Sequence, residues 1–313
     1  VELEIEALVS KGIGYVSPED IGRAKRIDDG RYRYIERVKS SFPNQMRLDG
    51  LKVVIDCANG AGYKAAPEVL WELGAEVIPV GVSPDGRNIN LECGSTSPTV
   101  AAETVVAHGA DVAICLDGDA DRVLIIDEYG RPIDGDQFLG MIGSRWFKNG
   151  NLVENTLVST VMSNMRLEAF LKQEGIKLVR TSVGDRYVVE RMRLNGFNLG
   201  GEKSGHVVMM DYATTGDGLM AGLQFLAEMV RTGEVASVVG RPFDLAPQKT
   251  ENITYAGDKN PLDHPSIKKI ISESEKKISG FGRLLVRKSG TEKLIRIMAV
   301  SYTHLTLPTN REV

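Results

Sequence analysis

Residues 110–122 read ADVAICLDGDADR, and this run decides the fold. A nearly unbroken apolar stretch ends directly in the carboxylates Asp117, Asp119 and Asp121, spaced by the small residues Gly118 and Ala120. A short apolar run bounded by turn residues reads as a strand buried on both faces. The loop beyond the carboxyl end of such a strand is where open α/β sheets hold ligands. Upstream, LKVVIDCA (51–58) and AEVIPVG (75–81) are further apolar runs, with helical stretches over 65–73 and 99–108 between the strands. Downstream, RVLIIDEYGRP (122–132) returns as strand and turn. Strands alternating with short helices predict βαβ units in a mostly parallel sheet.

The pattern then restarts. Helices are expected over 136–148, 164–174, 185–195 and 218–231, with strands TLVSTVM (156–162) and KLVRT (177–181) and strand-like FNLGGE (197–202) and VVMMD (207–211). This predicts a second α/β unit with its own core. Beyond Gly240, the prolines at 242, 247, 261 and 265 mark a linker and turns. A helix over 265–279 and two strands, GRLLVRKSG (282–290) and KLIRIMAV (293–300), predict a small α+β domain. The expected fold is α/β: successive three-layer α/β/α domains with mixed, mostly parallel sheets, plus a small C-terminal α+β domain. The expected division is 1–40, 41–133, 134–240 and 241–300. The end, SYTHLTLPTNREV (301–313), has no helical period and reads as a non-native tail.

At 313 residues the chain is long enough for several domains, and 42% hydrophobic with 26% charged residues is ordinary for a soluble protein. A net charge of −4 argues against a nucleic-acid partner. The three cysteines, Cys57, Cys93 and Cys115, lack zinc-site spacing and are odd in number, so free thiols in a reducing cytoplasm are expected. No apolar run reaches the length of a membrane span.

Three loops carry chemistry. Carboxylates crowded as in 117–121 repel one another, and a cation relieves them; magnesium takes such oxygen ligands and keeps positions open for phosphate. An EF-hand is a poor alternative, because Arg122 stands where its turn needs glycine. A solvated acidic turn stays open for this motif alone. In GGEKSGH (200–206), Glu202 can accept from two sugar hydroxyls, Ser204 can bridge, and glycines let the backbone come close. His206 can donate to phosphate or move a proton. The alternative is a glycine-rich hairpin with a surface charge pair. In RKSGTE (287–292), with Arg296 on the next strand, backbone N–H groups and a forked guanidinium suit an anion; a polar hairpin turn is the alternative. Two further stretches are TSVGDR (181–186), which either holds phosphate or orients the loops, and TTGD (214–217), which caps the following helix.

In this order, DGDADR, GGEKSGH and RKSGTEKLIRIM resemble the α-D-phosphohexomutase superfamily, whose members set three α/β domains and a smaller fourth around one cleft. Within it, GYVSPEDIGRAKRIDD (14–29), RYRYIERVKSSFP (31–43), PDGRNINLECGST (84–96), TVMSN (160–164), VGDRYVVERM (183–192) and TTGDG (214–218) are similar to the phosphoglucosamine mutases. The resemblance covers residues 1 to about 300. It implies that Asp117, Asp119 and Asp121 hold Mg²⁺ and that Arg122 lies beside the transferring phosphoryl group. It gives Glu202 and Ser204 the sugar, and Arg287, Ser289, Gly290, Thr291 and Arg296 the non-reacting phosphate, with His206 as proton shuttle. It further implies interconversion of glucosamine 6-phosphate and glucosamine 1-phosphate in the cytoplasm through a phosphoserine enzyme, with glucosamine 1,6-bisphosphate as activator, and it leaves a homodimer open. The family's phosphoserine motif, Ser-His-Asn-Pro, is not in this sequence. Residues 1–40 are therefore expected to be a remnant of the first domain and a linker, and the chain alone to be inactive. Lys288 and Lys293 stand where the family has prolines. A phosphoglucomutase or phosphomannomutase of the same superfamily and a non-catalytic sugar-phosphate binder are the alternatives. A metal phosphatase with an aspartyl nucleophile gives no reason for the second and third loops.

Overall fold

Three sheets follow one another along the chain in the computed structural model, which describes residues 2–12, 14–256, 260–289 and 293–301, the side chains of residues 2 and 3 excepted. The chain divides into two units, residues 1–33 and 34–313. The first holds helix α1 (Glu2–Lys11) and a 3-10 turn at Pro18–Asp20. None of its described residues is buried, so it has no core of its own. Helix α2 (Gly30–Lys39), for which the sequence reading predicts no helix, buries Ile35 and Val38.

In the first sheet β1 (Lys52–Asp56), β2 (Glu76–Val80) and β3 (Val112–Leu116) are parallel, and β4 (Val123–Asp127) adds antiparallel to β3. The order β2-β1-β3-β4 follows from crossovers through α3 (Ala65–Glu72) and α4 (Thr99–His108). Every residue of β3 is buried, as its continuous apolar run requires. The second sheet repeats the plan. Strands β5 (Thr156–Thr160), β6 (Lys177–Thr181) and β7 (Leu199–Gly201) are parallel, and β8 (Val207–Met209) is antiparallel, in the order β6-β5-β7-β8. Its helices are α5 (Gly135–Lys148), α6 (Met165–Gln173), α7 (Asp185–Asn195) and α8 (Gly218–Thr232). Asp217 caps α8 by accepting from Met220 N at 2.9 Å, as read from TTGD.

The expectation of a separate second core holds only on the α7 face, where Val158, Val188, Met192 and Val208 form a cluster of their own; on the other face it is corrected. One apolar cluster runs from Ile114, Leu116 and Ile125 of the first sheet through Phe138 and Leu139 of α5 and Phe225 and Leu226 of α8 to Leu157 and Leu199 of the second. Helix α8 is the reason: it is apolar on nearly all sides, and such a helix is stable only when covered all round. It lies against β3 and β4 although it follows the second sheet in sequence. Gly222 allows this approach, since a Cβ there would stand 3.0 Å from Ile114.

The third sheet is antiparallel, in the order β10-β11-β9, from β9 (Gln248–Thr254), β10 (Gly282–Lys288) and β11 (Leu294–Ser301). Strand β9 lies in the stretch read as linker, because its alternation is carried by polar and charged side chains rather than apolar ones. A four-residue helix, α9 (Ala236–Val239), precedes it, and α10 (Pro265–Ile278) covers one face. Ser301, set aside with the tail, pairs with Gly282 and closes β11; the rest of that tail, like Gly290 and Thr291, lies outside the described residues. On the face away from α10, Met298, Val300 and Leu285 pack with Ala246, Met162 and Met165. No helix among the described residues is long and apolar enough to cross a membrane.

Asp136, in the first turn of α5, is wholly buried. Its Oδ2 accepts from Asn164 N at 2.7 Å and its Oδ1 accepts no hydrogen bond. Burial pushes its carboxyl up to about 6. A folded pKa above the unfolded one favours the folded state when the proton is on, so this contribution is complete below about pH 4 and is lost as the pH rises through about 6. Asp136→Asn should therefore flatten the stability profile between those values in denaturant titrations. An unchanged slope would assign the pH dependence to other groups.

Candidate functional site

The loop after β3 is shaped by backbone contacts that its small residues permit. Ala61 N donates to Gly118 O at 2.8 Å, and a Cβ on Gly60 would lie 2.1 Å from that oxygen. Only glycine fits there, which gives the Asn59-Gly60-Ala61-Gly62 turn after β1 its purpose as the floor of the acidic loop. Asp117 Oδ1 accepts from Arg122 N at 3.1 Å, and Ala120 takes a left-handed φ of 62°. The result brings one carboxylate oxygen each of Asp117, Asp119 and Asp121 within 4.8 Å of one another.

Asp117 is buried and Asp119 exposed. Burial, with Asp121 and Asp119 beside it, pushes the Asp117 carboxyl up to about 6. Asp121 Oδ1 is buried and accepts no hydrogen bond; Arg122 Nε stands 3.7 Å away, and also 3.7 Å from Asp117 Oδ2. An all-oxygen donor set, crowded like charges and an orphaned carboxylate oxygen fit a small hard divalent cation such as Mg²⁺.

The second loop is stitched to the first. Val123 N donates to Gly205 O at 3.1 Å, and Arg122 and His206 form an antiparallel bridge. His206 Nδ1 lies 3.0 Å from Asp121 Oδ2, and an ionised carboxylate only accepts, so this nitrogen carries the proton. The His206 ring is 3% exposed and lies against Gly216, where a Cβ would come within 2.5 Å of Cε1. Its Nε2 is buried without a hydrogen bond. From this place His206 orients Asp121. The TTGDG turn joins the same assembly through Gly218 N, which donates to Ala120 O at 2.9 Å.

Glu202 Oε1 accepts from Gly184 N at 3.0 Å, so the TSVGDR turn before α7 orients the carboxylate of this second loop. Gly184, with φ 128°, is a residue whose role the sequence reading leaves open. Ser204 is exposed, and Lys203 pairs with Asp134 at 3.0 Å. On the third sheet Arg287 and Arg296 are directly opposite across β10 and β11. Like charges in that register repel unless an anion sits between them. Burial, then the charge of Arg296, holds the Arg287 guanidinium below its ordinary range, while Glu202 works the other way. Glu202 is thus near enough to Arg287 for its charge to be felt there. Ser289 is buried, its N donating to Leu294 O at 2.9 Å. The three cysteines are free, as expected; all three are also buried, and burial pushes the Cys57 thiol up to about 12.

Comparison with known proteins agrees with this architecture. Residues 32–130 match the phosphoglucomutase/phosphomannomutase alpha/beta/alpha domain II, residues 134–243 match domain III, and residues 250–304 match the C-terminal domain. The fold and the loops thus define a phosphohexomutase. Phosphoglucosamine mutase from Ruegeria sp. (strain TM1040) is 65% identical over 301 residues, spanning 96% of this chain and 67% of that protein. The Roseobacter denitrificans enzyme of the same name is 64% identical over 298 residues, spanning 95% and 66%. The chain belongs to the phosphoglucosamine mutase family, and it spans about two thirds of the length of these relatives. Among solved structures, a phosphoglucomutase/phosphomannomutase family protein from Burkholderia thailandensis superposes with a TM-score of 0.73 at 19% identity, covering 89% of this chain and 61% of the other. N-acetylphosphoglucosamine mutase from Aspergillus fumigatus, solved with GlcNAc-6P and magnesium, gives 0.70 at 19% identity, covering 87% and 67%.

Proposed function

We propose that this chain supplies the metal, sugar and phosphate loops with which a phosphoglucosamine mutase interconverts glucosamine 6-phosphate and glucosamine 1-phosphate. The observation that carries the reading is the Asp121–His206 contact beside the Val123–Gly205 hydrogen bond, which makes the acidic and sugar loops one rigid piece. In this reading the segments 41–133, 134–240 and 241–300 each bring one loop.

Asp117, Asp119 and Asp121 would hold Mg²⁺, which when bound neutralises charge on a transferring phosphoryl group. Arg122, half exposed beside the triad, is placed to pair with that group's oxygens. Glu202 and Ser204 accept and bridge sugar hydroxyls. Arg287, Arg296 and Ser289 take the phosphate that does not react, with Gly290 and Thr291 of the same loop. A single phosphate site that accepts either end of the sugar lets a 1,6-bisphosphate turn over between two transfers, and glucosamine 1,6-bisphosphate acts as activator on the same ground. The phosphoserine donor comes from a segment other than this chain, and the reaction belongs to the cytoplasm.

Titration of this chain with glucosamine 6-phosphate in Mg²⁺, beside glucose 6-phosphate and mannose 6-phosphate, tests the reading. Glucosamine 6-phosphate should bind tightest. Preference for another sugar would favour a phosphoglucomutase or phosphomannomutase, and no binding of any would overturn the proposal. Arg287→Gln should weaken binding roughly tenfold, the scale of one lost charge-assisted hydrogen-bond pair. Its unfolding midpoint should hold or rise, because a repulsion with Arg296 is removed.

A further inference from the structure

TVMSN (160–164) belongs to none of the three loops, yet a buried polar chain through it joins two of them. Ser159 Oγ donates to Gly201 O, next to Glu202, at 2.7 Å, and lies 2.5 Å from Ser163 Oγ. Next to Ser163, Asn164 N donates to Asp136 Oδ2 at 2.7 Å. The Asn164 side chain then holds both backbone atoms of Ala246: Nδ2 donates to its carbonyl at 2.9 Å, and Ala246 N donates to Oδ1 at 3.1 Å. Ala246 stands just before β9. From the same corner, Ser163 O accepts from Arg283 Nη2 at 2.6 Å. Arg283 and Arg287 share one face of β10.

Ser159, Ser163, Asn164 and Asp136 are all buried, Asn164 at 1% exposure. Asn164 also caps α6 through Arg166 N, a task that uses only Oδ1. The bond from Nδ2 to Ala246 serves the linker alone. Buried polar chains contribute little net stability compared with apolar packing, but they hold one geometry. That geometry here is the separation between Glu202 and Arg287. A ligand gripped at its hydroxyls and its phosphate together needs that span to match its own length.

We propose that Ser163 and Asn164 are positioning residues that set the span between Glu202 and Arg287, and with it the length of sugar phosphate the site takes. The second half rests on the loop roles proposed above. Two measurements separate the parts. Spin labels at Glu190→Cys on α7 and Lys269→Cys on α10 sit at exposed positions, while the native cysteines are buried. Pulsed EPR should give one narrow distance distribution for the otherwise unaltered chain and a broadened one for Asn164→Ala and for Arg283→Met. Arg283→Met removes a partly buried cation beside Arg180, so it should fold even where the asparagine variant does not. Unchanged distributions in the folded variants would overturn the proposal without reference to any ligand. In calorimetry the variants should bind glucosamine 6-phosphate about tenfold more weakly, and inorganic phosphate within about twofold of the parent, because misplacement penalises only the ligand that spans both loops. Equal weakening of both ligands would sink the span-setting role. If the parent itself binds phosphate but not glucosamine 6-phosphate, the loop roles fail, and the distance measurement still decides the joint.

Discussion

Asp119→Ala should cost this protein its divalent cation while leaving the fold intact. Asp119 is exposed, and the loop around it is held by Asp117, which accepts from Arg122 N, and by the Ala61–Gly118 backbone contact. Removing a carboxylate from a crowded triad also relieves repulsion in the metal-free protein. The unfolding free energy should therefore stay within about 0.5 kcal/mol of the parent. Mg²⁺ affinity should fall by roughly two orders of magnitude, the upper end of what losing even an outer-shell partner costs. Calorimetric titration reads the affinity and denaturant titration the stability, both on this chain. In the reaction proposed above, with a phosphoserine segment supplied, the variant should show no measurable mutase turnover. An unaltered Mg²⁺ affinity would remove the triad from the site.

Gly205→Ala is expected to have the largest effect on stability. Gly205 has φ +86°, and a Cβ there would stand 2.0 Å from Val123 O and 3.0 Å from its carbonyl carbon. The left-handed backbone alone costs an alanine about 1 kcal/mol. The overlap is with backbone that cannot swing away, because Val123 N is bonded to Gly205 O and Val123 is the first residue of β4. Together these should destabilise by about 4 kcal/mol, the size expected where backbone strain and overpacking add. Since the same contact holds His206 against Asp121, Mg²⁺ affinity should drop as well. Gly196→Ala is the control: its φ is +70° but nothing lies within 4 Å of the new Cβ, so only the backbone cost of about 1 kcal/mol applies. Equal losses in the two variants would mean that the Gly205 contact carries no special strain.

The ladder of strands and helices was legible in the sequence where one physical signal was strong. Val112–Leu116 is buried on both faces and reads as an unbroken apolar run; α8 reads as long and apolar. The triad was legible because carboxylates alternating with small residues directly after a buried strand repel one another until a cation joins them. Strand β9 was not, since QKTENIT is polar on both faces and its partner is β11, about forty residues on. The floor of the acidic loop was half legible. Its glycines stand out at 60 and 62, but that they face Gly118, Leu116 and Ala120 depends on two strands meeting.

Local sequence thus determined most of the strands and helices, where the acidic, glycine-rich and basic motifs lie, and to which family they point, because periodicity and side-chain chemistry act over a few residues. Only the tertiary structure decided that His206 reaches back 85 residues to Asp121, that Gly184 aims Glu202, that α8 joins two sheets in one core, and that Asn164 holds the strap before the last sheet. Those contacts arise between elements far apart in the chain, from packing that closes apolar surface and pairs buried polar atoms, and no window of sequence contains both partners.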